Sequence, residues 1–188
     1  MASYRGRWGD AARDGVLFTG TAAATGLVLP IYSDTAQLFV LWNPSDSGVN
    51  AYILNITMGY KDTTLAAAGI ALGVLKNAGN SVATAAPFSA FTDQAPYRGG
   101  LASLTGGNKV RFAGAAATVT TGLAVLGPIL WSQDAFAAAG VTNMAAKVFR
   151  NFDGELMLAP NTAIFLCGII AQLGKWIPSI TWAEDSAV

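Results

Sequence analysis

The sequence predicts an all-β protein: an antiparallel, jelly-roll-like sandwich over residues 15–188, preceded by an extended N-terminal arm at 1–14. Three observations predict it. Short apolar runs of period-two character, about eight of them, are separated by clusters of Gly, Pro, Asn, Asp and Ser, with little helix signal. The C-terminal stretch 152–184 reads as three strands, at 155–159, 162–171 and 176–184, joined by turns at Pro160-Asn161 and at 172–175. And the chain is long enough, at 188 residues, for one substantial core.

Within that C-terminal stretch the last strand places Trp176, Pro178, Ile180 and Trp182 on one face and Ser179, Thr181 and Ala183 on the other, a half-buried pattern. The middle strand differs. Thr162, Ile164, Leu166, Gly168 and Ile170 share one face; Ala163, Phe165, Cys167 and Ile169 share the other. A strand apolar on both faces must have both covered. The expectation is a sandwich core on one side and a second subunit on the other, with Ile164, Phe165, Leu166, Ile169 and Ile170 as interface residues.

Taken in order, residues 1–14 are polar and aperiodic, with Tyr4, Arg5, Arg7, Trp8 and Arg13 as large amphipathic anchors suited to docking on another protein. Residues 16–31 contain two short strand candidates. The run 36–42 places Leu38, Val40 and Trp42 on one face, and ends in the turn formers Asn43-Pro44-Ser45-Asp46-Ser47-Gly48. The run 50–60 alternates cleanly, with Tyr52, Leu54, Ile56, Met58 and Tyr60 on one face. The two runs therefore read as a hairpin. Another strand spans 70–76. Residues 81–107 decay into Ala, Ser, Thr, Pro and Gly around Phe88, Phe91 and Tyr97, and read as a long loop, the expected exposed functional surface.

Strand character resumes at 109–113 and 117–125. Gly127-Pro128 reads as a turn, 129–131 as a short buried strand, and 134–139 as a short helix capped by Asp134. The stretches 16–31 and 110–129 share the order V-x-F-x-G, alanines, Thr-Gly-Leu, Pro-Ile, as equivalent strand pairs of a Greek key would, although residues this simple match by chance equally well.

Only 12% of residues are charged and 53% are hydrophobic, against averages of about 25% and 45–50%. Eleven acidic and eleven basic residues leave no net charge. Such a surface is expected to be hidden by partners or lodged in a membrane. The uncharged run 112–133 has the length of a bilayer span, about 20 residues. Its threonines, glycines and Pro128 favour a buried β-segment instead. Residues 1–15 lack the apolar core of a secretory signal.

Histidine is absent and cysteine occurs once, at Cys167, which removes His-based triads and Cys- or His-ligated metal centres from a single chain. No phosphate-binding glycine loop occurs. Asp153/Glu155 and Glu184/Asp185 are the only neighbouring carboxylates, and turn solvation explains the first pair better than glycosidase chemistry. Basic residues do not cluster beyond the arm, so no nucleic-acid partner is expected. No catalytic residue, cofactor or metal is expected, and no enzyme.

Two stretches, PIYSDTAQLFVLWNPSDSGVNAYILNITMGY and GELMLAPNTAIFLCG…SITWAED, resemble the small jelly-roll virion proteins of tailed bacteriophages. In the first a strand meets an Asn-Pro-Ser-x-Ser-Gly turn. In the second a Pro-Asn turn precedes an apolar strand and an aromatic–acidic pair closes the chain. The resemblance implies a homotrimer or dimer on the virion, bridging major capsid proteins as a cement or decoration protein. The alternative is the receptor-binding head of a fibre or tail spike, using loop 81–107. A small membrane protein is the third reading.

Overall fold

A computed structural model describes residues 8–32, 36–61, 68–76, 88–99, 107–119, 125–135, 147–169, 171 and 174–186. A single turn of helix, α1 (Gly9–Arg13), precedes the strands. These are β1 (Leu17–Thr21), β2 (Leu27–Val28), β3 (Ala36–Gln37), β4 (Val40–Asn43), β5 (Val49–Tyr60), β6 (Ala68–Lys76) and β7 (Phe88–Phe91). They continue with β8 (Tyr97–Arg98), β9 (Arg111–Ala113), β10 (Ala117–Val119), β11 (Val125–Ala135), β12 (Lys147–Leu158), β13 (Thr162–Gly168) and β14 (Lys175–Ser186).

The first sheet runs β12-β5-β14-β1-β8, with β2 on β14; the second runs β11-β6-β13-β4-β9. All their pairings are antiparallel. They enclose the main core. Phe18, Ile53, Ile56, Met58, Trp176, Ile180 and Trp182 enter from the first sheet; Leu41, Ile70, Leu72, Phe112, Ile164 and Leu166 enter from the second. The fold class is thus an all-β sandwich of packed antiparallel sheets.

A third sheet, β3-β10-β7, lies on the far face of the second. Phe88, Ala117 and Val119 from it meet Val40, Trp42, Ala71, Leu75, Ala163, Phe165 and Cys167 in a separate cluster. This corrects the expectation for the two-sided strand. β13 faces the main core through Ile164 and Leu166 and the second cluster through Ala163, Phe165 and Cys167. Ile164, Phe165 and Leu166 are each 1% exposed within one chain, so they are not a subunit interface. The second covering comes from the protein's own third layer. Ile169, past the strand end, is exposed, and Ile170 lies outside the described residues.

The insertion between β6 and β11 builds much of that layer. It supplies β7 and β10 to the third sheet, adds β8 beside β1, and adds β9 beside β4. The expected loop 81–107 therefore contains two strands. Phe88 is buried and Phe91 packs on Trp42, because aromatic anchors at these spacings bury more surface than they expose; Tyr97 stays outside.

Other expectations need revision. β4 and β5 do not form a hairpin: β4 pairs with β13 and β9, β5 with β12 and β14. The Asn43–Gly48 turn carries the chain from one sheet to the other. Asn43, fully buried, fixes the crossing, its Nδ2 donating to Val49 O (2.8 Å) and Leu158 O (2.9 Å). The run 36–42 divides at a bend, with β3 in the third sheet and β4 in the second.

β5 also changes phase. Val49, Ala51 and Ile53 point inward, then Ile56 and Met58, because the register with both neighbours shifts at Leu54. A bulged residue inverts the alternation beyond it. On β12 the matching excursion is 152–155, where Asp153 and Gly154 have φ of +47° and +79°.

Gly127-Pro128 is no turn but lies within β11, where the register with β6 shifts between Leu126 and Ile129. A bulge tolerates a proline that cannot donate to the ladder. Asp134 belongs to β11 rather than starting a helix. No helix among the described residues is long and apolar enough to cross a membrane. The two echoing stretches are not equivalent pairs either: β1 and β2 share the first sheet, while β9 and β10 lie in different sheets.

Candidate functional site

The described residues hold no cluster of three His, Cys, Asp or Glu side chains able to take a metal ion. Cys167 is fully buried, and burial pushes its thiol up to about 12. Its Sγ donates weakly to Ala71 O at 3.6 Å. The Asp153 carboxylate accepts the Trp8 indole N–H (2.9 Å), so Asp153 of the Asp153/Glu155 pair forms part of the anchor for Trp8.

That anchor is built from three elements. The left-handed Gly154 leaves the space for the Trp8 ring; a Cβ there would stand 2.7 Å from Cη2. Trp8 in turn packs at 6.5 Å, tilted 38°, against Tyr52 on the outer face of β5. Trp8 thus docks on its own domain. Arg13 closes α1 with exposed contacts to Asp10 and Asp14. Tyr4, Arg5 and Arg7 lie outside the described residues.

Near the end of β14 lies the one charged side chain that is buried among the described residues. Glu184 is 6% exposed. Its carboxylate accepts the backbone N–H of Lys109 (2.9 Å) and Val110 (3.0 Å) and the indole N–H of Trp182 (3.2 Å). Burial raises its carboxyl above the ordinary glutamate value, and the three donors oppose only part of that rise. Its backbone N–H donates to Val16 O at 2.9 Å. The two V-x-F-x-G copies therefore meet here: Val16 and Val110 both hold Glu184, while Phe18 and Phe112 flank the Trp182 ring at 5.7 and 6.2 Å. Gly20 completes the fit, since its missing Cβ makes room for the Phe112 ring.

Two cavities flank this node and share Val16, Glu184 and Asp185. One, of about 360 Å³, is lined by those residues with Trp8, Ala11, Tyr52 and Ala183. The other, of about 330 Å³, includes Asp14, Arg98 and Lys109. Arg98 there donates its Nε–H to Gly15 O. A shallower groove of about 630 Å³ has an uncharged lining of Thr21, the alanines 22–24, Gln94, Ala95, Tyr97 and Ile177.

Sequence reasoning named Trp8 but not its partners. It singled out Glu184 only for its neighbour Asp185, and it passed over Tyr52 as one residue of a strand. The aromatic–acidic ending was the available signal, and its aromatic is the Trp182 that donates to Glu184. Of the other expected surface residues, Tyr97 is 61% exposed, whereas Phe88 is 1%. Compared with protein-family models, curated proteins and solved structures, the chain finds no match.

Proposed function

We propose that the chain is a non-enzymatic structural protein of a virion, a decoration or cement protein that binds the lattice of major capsid proteins and stabilises the shell. Strand order is the observation that carries this reading. With β2, β3 and the inserted β7–β10 set aside, β1-β14-β5-β12 faces β4-β13-β6-β11. The chain changes sheets at nearly every connection and returns its last strand beside its first. This order supports a jelly roll, an architecture frequent in viral shells.

The free edge offers the means of association. The β8/β9 side of the sandwich is extended by the insertion. On the opposite side β12 ends the first sheet, paired only with β5 among the described residues. It leaves Phe149 53% and Met157 48% exposed. An exposed edge strand with large apolar side chains favours contact with another chain. A stable contact of about 1,600 Å² repeated over a lattice suffices for a cement.

The test is the mass of the protein in solution, its copy number per particle, and capsid binding by Phe149→Glu and Met157→Lys. The reading expects self-association, hundreds of copies, and loss of binding in the variants. A monomer whose variants bind capsids unchanged overturns it, and so does a copy number of a few dozen, which belongs to an appendage.

A further inference from the structure

We infer that the outer face of the first sheet binds a neutral oligosaccharide, laid across the strands and ending in the groove beside Tyr97. This goes beyond the shell reading and does not depend on it.

Strand register assembles the surface. Tyr97, Thr19, Thr181, Asn55 and Asn151 are successive partners across β8, β1, β14, β5 and β12, so one row of side chains crosses the sheet. Thr21, Ser179 and Thr57 form a second row, two residues further along β1. Directly paired residues share a face, as the bond between Thr19 Oγ1 and Thr181 Oγ1 (3.1 Å) shows. The alternate residues Phe18, Ile56 and Ile180 fill the core, so both rows face outward, half-buried or exposed. With strands about 4.8 Å apart, the longer row extends about 19 Å.

The side chains in these rows decide the kind of ligand. Every one ends in a hydroxyl or an amide, groups that both donate and accept hydrogen bonds. β1 and β5 contain no charged residue, and β14 has none between Lys175 and Glu184. A phosphate backbone, an anionic lipid or a basic peptide therefore meets no opposite charge on the rows. A protein partner fits poorly too, since protein interfaces concentrate aromatics, Met and Arg and are depleted in Ser. A sugar chain presents uncharged hydroxyls that donate and accept, the same chemistry in return. Asn55, Thr57 and Ser179 make no other side-chain hydrogen bond among the described residues, so they can meet such a ligand directly.

Tyr97 ends the longer row and is 61% exposed. Its ring offers an apolar body and a hydroxyl tip, matched to the C–H face and the hydroxyls of a sugar ring. It also lines the uncharged groove of about 630 Å³ with Thr21 and Gln94. That volume lies within the range of small-molecule sites and suits the terminal units of the chain.

The experiment exposes the full chain to an array of neutral and anionic oligosaccharides. It also titrates maltohexaose, cellohexaose and N-acetylchitohexaose while following the side-chain amides of Asn55 and Asn151 by NMR. The expected result is saturable binding of at least one neutral oligosaccharide, with Kd of about 0.1–1 mM. Raising salt to about 0.5 M leaves it unchanged. Tyr97→Ala and Thr57→Val each weaken it about threefold to tenfold. Met157→Lys, which tests the shell reading at the sheet edge, does not. No binding of any neutral oligosaccharide overturns the inference. Binding shown only by the anionic members does so too, as does unchanged affinity in folded Tyr97→Ala and Thr57→Val proteins. Amide shifts that follow protein concentration rather than sugar assign the face to a second copy and also overturn it.

Discussion

Gly73 on β6 stands directly opposite Phe165 on β13, and the Phe165 ring covers the glycine: a Cβ there would lie 2.8 Å from Phe165 Cε2. The ring belongs to the second cluster, between the second and third sheets. Gly73→Ala therefore forces the ring outward against the third layer. Overpacking of this kind costs about 1–3 kcal/mol. The companion change Phe165→Leu should recover at least half of that loss when the pair is compared by urea unfolding as a double-mutant cycle. Additive losses would show that the ring has room to move.

Cys167 lies in the same cluster, with its thiol raised to about 12 by burial. At pH 8 the native thiolate is rarer than in the unfolded chain by about a thousandfold. Labelling by a thiol reagent should therefore wait for unfolding. The check is labelling rate against denaturant, which should track loss of tryptophan fluorescence. Rapid labelling in buffer alone would mean that the third layer opens locally.

Asn43 donates to Val49 O and Leu158 O, both in the first sheet, from the end of a strand in the second. Asn43→Ala leaves these carbonyls short of a donor inside the protein, at a cost of about 2–3 kcal/mol. Asn43→Asp should be worse, since a carboxylate would face two carbonyl oxygens. Chemical denaturation at pH 7 checks both.

Glu184 gives a signed pH dependence. Its folded-state pKa is raised by burial, so the folded protein holds the proton more tightly than the unfolded chain. Its contribution is full below the unfolded value, about 4.5, and is lost as pH rises through the higher folded value. Glu184→Gln removes this term. The difference in stability between the wild type and the amide should therefore shift against the wild type as pH rises from 4 upward. Glu184→Ala should cost about 3 kcal/mol, because it strands the N–H groups of Lys109, Val110 and Trp182. A stability difference that stays flat with pH would contradict the burial of this carboxyl.

Several features were legible in the order of residues. Alternation placed Trp176, Ile180 and Trp182 on the buried face of β14, and the Pro160-Asn161 turn holds, with Asn161 at φ +69°. Both faces of β13 needed covering, as its apolar residues on either side required. These are local properties. Side-chain period and turn chemistry act within a few residues, and the backbone obeys them wherever the strand is placed.

What covers a face is another matter. Asn43–Gly48 is a good turn for a hairpin and for a crossing between sheets alike, and the pairing of β5 with β12 and β14 decided between them. Tyr52 shared a face with Ile56 and Met58 by count, until the register shifts at Leu54 reversed the strand's phase. Phe88 and Phe91 looked like loop anchors because nothing near them in the chain names Trp42 as their neighbour. Sequence alone determined that this protein is β-rich, poor in charge and apolar on both sides of β13. Only the tertiary structure decided that its own third sheet, and not a second molecule, closes over that strand, because burial is satisfied by whichever surface the distant pairing of strands brings within contact.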